Sequence, residues 1–167
     1  MKLQRIEHKN LTPARKRTFV RRLLKLRDIL IDAPPENYDH SVITEKRDCG
    51  TAACAVGHAV VHHKQFPGLP VYFDGDDWNL EYTAYPDWMA ELYRDQFAQW
   101  YKEHEEFEDL STYSSSDTYF GPFAWAYIFD TNAYPKPTAD VTKYDAIQRI
   151  EDYITKVLGC ELIPAEE

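Results

Sequence analysis

The sequence predicts a mainly α-helical protein: a single compact domain of about five helices around a buried central helix, with one small β-hairpin. Apolar residues recur at helical spacing near both ends of the chain. The stretch 48–63 is rich in Ala, Gly and Cys and almost free of charge, and residues 69–82 contain two β-prone segments around a turn. A chain of 167 residues suffices for one sizeable core, so we expect one domain over 1–167.

The first predicted helix covers residues 12–33. Thr12 offers a capping hydroxyl, and Pro13 suits the first helical position. The sequence Pro34-Pro35 then ends the helix. A stripe at helical spacing predicts that one face packs on the core; it consists of Phe19, Val20, Leu23, Leu24, Leu26, Ile29 and Leu30.

This helix is also strongly basic. Residues 1–27 hold ten Lys or Arg and one acid, a charge of +9, whereas 28–167 hold nine Lys or Arg against 27 acids, a charge of −18. The split predicts that the helix docks on the acidic body of its own chain or of another copy, which leaves a homo-oligomer open. The alternative is contact with nucleic acid through this helix, for which Arg15 and Arg22 are candidates. The acidic body would repel phosphate and therefore favours docking.

The central helix is predicted over 50–64, with Asp48 or Thr51 as its cap. This would place Cys49 beside the positive end of the helix, where a thiolate is favoured. A Cys49-dependent hydrolase or transferase is therefore one alternative. No histidine follows His104, so the later general base of a papain-like enzyme is missing. The simpler interpretation of Cys49 is a small buried thiol.

A metal site on the same helix is a second alternative. Cys54, His58 and His62 are each four residues apart and would share one helical face. Thiolate and imidazole are good zinc ligands, but three ligands in line on a rigid helix reach poorly around one ion, and the spacing matches no common zinc pattern. We therefore expect Cys54 in the core, His58 as a hydrogen-bonded interior residue, and no metal or cofactor.

The middle of the chain predicts a hairpin over 70–83 and a helix over 87–109. An acidic turn, 74–77, separates the two β-prone segments, and Asp87 caps the helix. The aromatic residues are more numerous than one helix stripe needs. They form a core, a pocket for a flat ligand such as a nucleobase, or an interface. The candidate binding residues are Trp78, Trp88, Trp100, Tyr101 and Trp125.

The remaining segments predict a polar connection and two further helices. Residues 111–118 are rich in Ser and are expected to form a flexible loop. Pro122 can open a short apolar helix over 122–130. The last helix is predicted over 142–158, where Thr142 and Asp145 have the spacing of a capping box.

Short motifs in both halves resemble a known family. The pattern Cys49-Gly50-Thr51, then Cys54, Gly57 and Ala59, is similar to that of a family of small uncharacterised proteins in bacterial and phage genomes. The later segments Tyr119-Phe120-Gly121, Tyr127-Ile128-Phe129 and Ile147-Gln148-Arg149-Ile150 resemble the C-terminal half of the same family. The acidic, aromatic middle departs from its shorter members. The resemblance implies no activity.

The function that the residues favour is binding and not catalysis. The chain lacks a Gly-rich phosphate loop and a Ser-centred elbow. It has no apolar run of bilayer length and no signal peptide, so we expect a cytoplasmic protein that does not enter membranes. Three cysteines make no disulfide framework. We expect a non-enzymatic binding or inhibitory protein for a protein partner or a small, flat, nucleotide-like ligand; a phage origin would make it a host-interaction factor.

Overall fold

The computed structural model describes residues 2–43, 45–47, 50–81, 83–103 and 114–162. This part of the chain is mainly α-helical and contains small antiparallel two-stranded sheets. The mainly α fold and the small hairpin were both predicted and are confirmed. Among the described residues, no helix combines the length and apolar character needed to cross a membrane.

The longest helix, α1, spans Pro13–Asp32. The Thr12 hydroxyl accepts a hydrogen bond from the backbone N–H of Arg15 at 3.3 Å, so the predicted cap is confirmed. The apolar stripe is buried at Phe19, Leu23, Leu26 and Leu30. Through this stripe α1 packs against the helices α2 (Ala55–Val61), α4 (Ser114–Phe120) and α5 (Lys143–Asp152).

The predicted central helix is much shorter than expected. Residues Gly50–Ala52 form strand β2, which pairs antiparallel with β1, Glu45–Arg47, so Thr51 is not a helix cap. Ala53 and Cys54 donate their N–H groups to the carbonyls of Asn37 and Val42, which keeps the chain extended up to the N-cap Cys54. Helix α2 is buried from Ala55 to Val60, but a fold organised around it is not confirmed.

Gly57 explains how close another segment comes to α2. A Cβ atom at this position would overlap the backbone carbonyl of Ile43. The segment 37–43 therefore crosses α2 in backbone contact, held by the bond from Cys54 to Val42 and an isolated bridge between Tyr38 and Ala53. The crossing places Asn37 and Tyr38 beside α2.

The predicted hairpin consists of β3, Val71–Phe73, and β4, Trp78–Leu80. Asp74 shapes the acidic turn between them, because its Oδ1 accepts the N–H groups of Asp76 and Asp77, both at 2.9 Å. The hairpin exposes the side chains of Tyr72, Phe73 and Trp78.

Helix α3 spans Asp87–Glu103. The rest of the helix predicted over 87–109 lies outside the described residues, as does His104. The expected loop over 111–118 is wrong from Ser114 onward, because Ser114–Phe120 is helix α4. Its polar residues Ser115, Ser116 and Asp117 are buried, so tertiary packing outweighs their weak helix propensity.

The C-terminal part contains two π-helical turns. The first, Trp125–Phe129, follows a turn in which Phe123 has φ +59°, so the helix does not begin at Pro122 as predicted. The second, Tyr153–Val157, continues α5. The predicted capping box is confirmed: the Thr142 hydroxyl accepts from Asp145 N–H, and the Asp145 carboxylate accepts from Thr142 N–H.

Aromatic side chains form much of the core. Phe66, Phe120, Phe129 and Tyr153 are among the largest fully buried residues. The rings of Phe66 and Phe120 are 6.0 Å apart, and those of Phe120 and Phe129 are 5.5 Å apart. These four aromatic side chains are therefore core.

Candidate functional site

A cavity of about 470 Å³ lies between the C-terminal half of α1 and the helix α2. Its apolar lining consists of Ile29, Ala33, Pro34 and Val61. Its polar lining consists of Asp32, Asn37, His58, His62 and Gln65. Because Asp32 and Val61 are exposed, the cavity reaches the surface. Ligand sites commonly combine such apolar walls with a few polar groups, and the volume lies within their usual range.

His58 is the most deeply placed polar side chain of this lining. It is only 4% exposed, and its Nε2 atom has no hydrogen-bond partner among the described residues. Burial lowers the pKa of His58 to about 4, and the charges of His62 and Lys143 also lower it. The backbone carbonyl of Asn37 has the opposite effect, smaller than that of burial, of raising this pKa. The ring is therefore neutral near pH 7, with one nitrogen to donate and one to accept a hydrogen bond.

Tyr38 holds the His58 ring in place. The two rings are stacked with centroids 6.1 Å apart and planes 3° apart. The ring of Tyr38 is itself held through His40, whose Nδ1 lies 2.9 Å from the Tyr38 hydroxyl and whose Nε2 lies 2.9 Å from the Asp130 carbonyl. Since the carbonyl can only accept, Nε2 of His40 carries its proton, and Nδ1 accepts from Tyr38. Burial lowers the pKa of His40, which keeps this arrangement neutral.

Lys143 fixes the end of α1 beside the cavity. Its buried ammonium group donates to the backbone carbonyls of Ile31 at 2.9 Å and Ala33 at 2.6 Å. These carbonyls belong to the last turn of α1 and to its C-cap, where the helix leaves acceptors unpaired and where a cation is favoured. Lys143 thereby joins α5 to the wall that Ala33 contributes.

The two predicted arginines both lie against aromatic rings. The Arg15 guanidinium lies 4.4 Å from the ring centre of Trp88, and Arg15 also donates to the Asn10 carbonyl. The Arg22 guanidinium lies 3.8 Å from the ring centre of Tyr119 and donates to its carbonyl at 2.9 Å. Docking of the basic helix on the body thus includes cation–π contacts, which the charge split alone does not predict.

The predicted tryptophans have different surroundings. Trp88 stacks on Phe19 of α1, and Trp125 lies 6.3 Å from Phe129. Trp78 contacts Phe73 and His63 on the exposed face of the hairpin. None of these three lines the His58 cavity. Trp100 and Tyr101 belong to α3, but their side chains lie outside what the structure describes.

The metal alternative finds no support in the described ranges, where no three His, Cys, Asp or Glu side chains are grouped to hold an ion. Cys54 is the non-helical N-cap and not part of the helical face that carries His58 and His62. Burial raises the pKa of the Cys54 thiol to about 11, which disfavours a thiolate ligand. Cys49 lies outside the described residues, so its proposed role as a nucleophile stays a prediction.

A second buried polar cluster surrounds Asp117. Its carboxylate accepts hydrogen bonds from the hydroxyls of Tyr93 at 2.8 Å and Tyr85 at 3.2 Å, and from the N–H of Trp125 at 2.8 Å. Burial nevertheless raises the pKa of Asp117 to about 7. The cluster ties α4 to α3 and to the first π-helical turn.

The sequence indicated His58, His62 and Arg22 but missed their surroundings. Tyr38 and His40 lie two residues apart after Pro34-Pro35, a spacing that puts side chains on one face of an extended segment. That alternation was the one available signal. Gln65 and Lys143 carried none, because only the tertiary fold brings them to α1.

The fold and the site define a mainly α-helical protein with a ligand-sized cavity around a buried neutral histidine. No protein-family model, curated protein or solved structure matches the chain. The resemblance to a bacterial and phage family therefore stays a prediction, and the geometry of the site is what bears on function.

Proposed function

We propose that this protein is a non-enzymatic binding protein for a small, flat ligand, which occupies the cavity around His58. The observation that carries the proposal is the His58 ring, which lines a cavity of about 470 Å³ and whose Nε2, itself fully buried, has no partner in the described part of the chain. A buried nitrogen without a hydrogen bond costs roughly 1–3 kcal/mol, and a ligand recovers this energy when a half-turn of the ring brings Nε2 to the cavity.

The surroundings of His58 suit a planar heterocycle. A neutral imidazole offers its hydrogen bond in the plane of the ring, at the edge where a heterocycle carries its own donors and acceptors. Ile29 and Val61 supply apolar contact for the faces of such a ligand, and Asn37 and Gln65 supply further polar groups. The Tyr38 ring keeps the His58 ring in one plane, which limits the ordering that binding requires.

The lining favours binding over catalysis. Among the described residues that line it there is no Ser, Thr, Cys or Lys that could act as a nucleophile. His58 has a pKa of about 4, far below the value near 7 that suits a general base at neutral pH. A protein partner, the other ligand class that the sequence favours, stays a prediction.

The test is a titration with free nucleobases as flat probes, namely adenine, guanine, cytosine and uracil. Binding is followed by the NMR signals of the histidine rings. We expect at least one base to shift the His58 signals, and His58→Phe to weaken its binding by about tenfold or more, since the aromatic ring stays but the nitrogen is lost. The matched control is His63→Phe, because His63 lies just beyond α2 and does not line the cavity.

Native mass spectrometry of the untagged protein, purified from cells, checks the same proposal without a chosen probe. A retained mass of small-molecule size that is lost in His58→Phe supports it. The proposal is overturned if no base shifts the His58 signals, or if His58→Phe and the wild type bind the bases equally.

A further inference from the structure

A second cavity, of about 360 Å³, lies beside the first along α1. Gln65 lines both cavities, so the two are neighbours on the same side of the helix. The second cavity contains three cations against an aromatic and apolar wall; its lining includes Arg21, Arg22, Lys25, Phe66, Pro67 and Tyr119. The first cavity is mostly neutral and the second is basic.

The three cations lack acidic partners in the described ranges. Arg27, one turn further along α1, pairs with Asp28 and Glu151, both at 3.4 Å. Arg21, Arg22 and Lys25 form no ion pair with any described residue. Arg22 is half-buried and the exposed Arg21 and Lys25 lie close to it, so an anion that binds here would relieve the repulsion among the three charges.

Arg22 is held in a fixed position for such a contact. Its guanidinium is stacked on the Tyr119 ring, and its Nη1 atom donates to the Tyr119 carbonyl. These contacts use one of its five N–H donors, and the rest of the planar fork suits the oxygens of a phosphate group. Arg21 and Lys25 are exposed and add charge at the surface of the same cavity.

The spacing of the two cavities matches one ligand that occupies both. Arg22 and Lys25 line the basic cavity, while Ile29 and Asp32 line the His58 cavity seven residues further along α1. Seven helical residues span about 10 Å, a distance comparable with that between the base and the phosphates of a nucleotide.

We propose that the ligand of the His58 cavity is phosphorylated, and that Arg21, Arg22 and Lys25 bind its phosphate in the second cavity. The ligand class is then a planar heterocycle joined to a phosphate, as in a nucleoside mono- or diphosphate. This inference rests on the function proposed above, because the His58 cavity must take the heterocycle. A concave basic site of this size fits one phosphate group or two, whereas an extended nucleic-acid backbone needs a longer basic surface.

The experiment compares each nucleoside with its 5′-monophosphate and 5′-diphosphate by calorimetric titration. In the wild type we expect the phosphate to raise affinity by about tenfold or more, and higher salt to reduce this gain. In the double variant Arg21→Gln/Lys25→Gln the gain should fall to about threefold or less, with nucleoside affinity unchanged. The matched control is Lys16→Gln/Arg17→Gln, which removes two charges of the same helix that line neither cavity.

Inorganic pyrophosphate tests the basic cavity by itself. We expect it to shift the NMR signals of Arg22 and Tyr119 in the wild type, and Arg21→Gln/Lys25→Gln, which keeps Arg22, to need much higher pyrophosphate concentrations for the same shift. If nucleosides bind and phosphate adds nothing, the phosphate inference is wrong and the proposed function stands. If pyrophosphate binds but no nucleoside or nucleotide reaches the His58 cavity, the proposed function and the shared ligand both fail. If a single-stranded oligonucleotide binds tightly, and its binding depends on Lys16 and Arg17 as much as on Arg21 and Lys25, the small-ligand assignment is overturned.

Discussion

Replacing Asp117 with Asn should change how the stability of the protein depends on pH. The Asp117 side chain is buried, and its pKa rises from the ordinary value of 3.8 to about 7 on folding. The folded protein therefore holds this proton at pH values where the unfolded chain has lost it. The stability that the proton contributes is complete below the unfolded pKa and is lost as the pH rises through 7.

The size of the effect follows from the shift. A difference of about three pKa units corresponds to about 4 kcal/mol over the whole range, and to about 2.5 kcal/mol between pH 5 and pH 8. Asn has the same shape and no charge, and the hydroxyls of Tyr85 and Tyr93 can turn to accept from its amide. The free energy of unfolding of Asp117→Asn should therefore rise by about 2.5 kcal/mol relative to the wild type over this interval, mostly below pH 7.

The comparison between variant and wild type is needed because His58 acts in the opposite direction. Its pKa is lowered from 6.5 to about 4, so its contribution to stability grows as the pH rises from 4 to 6.5. Urea unfolding, followed by tryptophan fluorescence from pH 5 to pH 8, measures the difference. The control is Asp76→Asn in the exposed turn. A constant difference between Asp117→Asn and the wild type would refute a protonated Asp117 in the folded protein.

Two further substitutions test contacts around the site by urea unfolding at pH 7. Gly57→Ala should destabilise the protein by about 3 kcal/mol, because the new methyl group meets the backbone of Ile43. The control is Gly75→Ala, in an open turn at φ +106°, which should lose only about 1 kcal/mol. Equal losses in the two variants would contradict the close crossing of Ile43 over α2. Lys143→Met should lose about 2–3 kcal/mol, since two carbonyls at the end of α1 lose a charged donor. Lys136→Met, which breaks a partly exposed pair with Asp145, should lose less than about 1 kcal/mol, and an equal loss in both variants would argue against the Lys143 contact.

The elements that the sequence predicted well are those whose signals are local. A capping hydroxyl, a following proline and a stripe at 3.6-residue spacing act within α1, so its bounds could be predicted before any packing was known. The capping box at Thr142 and the acidic turn at Asp74 are local in the same sense. Residues 50–52 and 114–118 were misassigned because strand pairing and burial decide them, and both come from distant parts of the chain.

In the candidate site, too, local signals were predictable and contacts between distant segments were not. Sequence by itself identified His58 and Arg22 as residues of interest, from a charge-poor stretch with spaced histidines and from a basic helix. Only the tertiary structure decided that Tyr38 stacks on His58, that Gln65 joins two cavities, and that Tyr119 lies under Arg22. The physical reason is that caps and periodicity are properties of neighbouring residues, whereas burial, and with it the pKa of a histidine or an aspartate, depends on which remote segments exclude water from it.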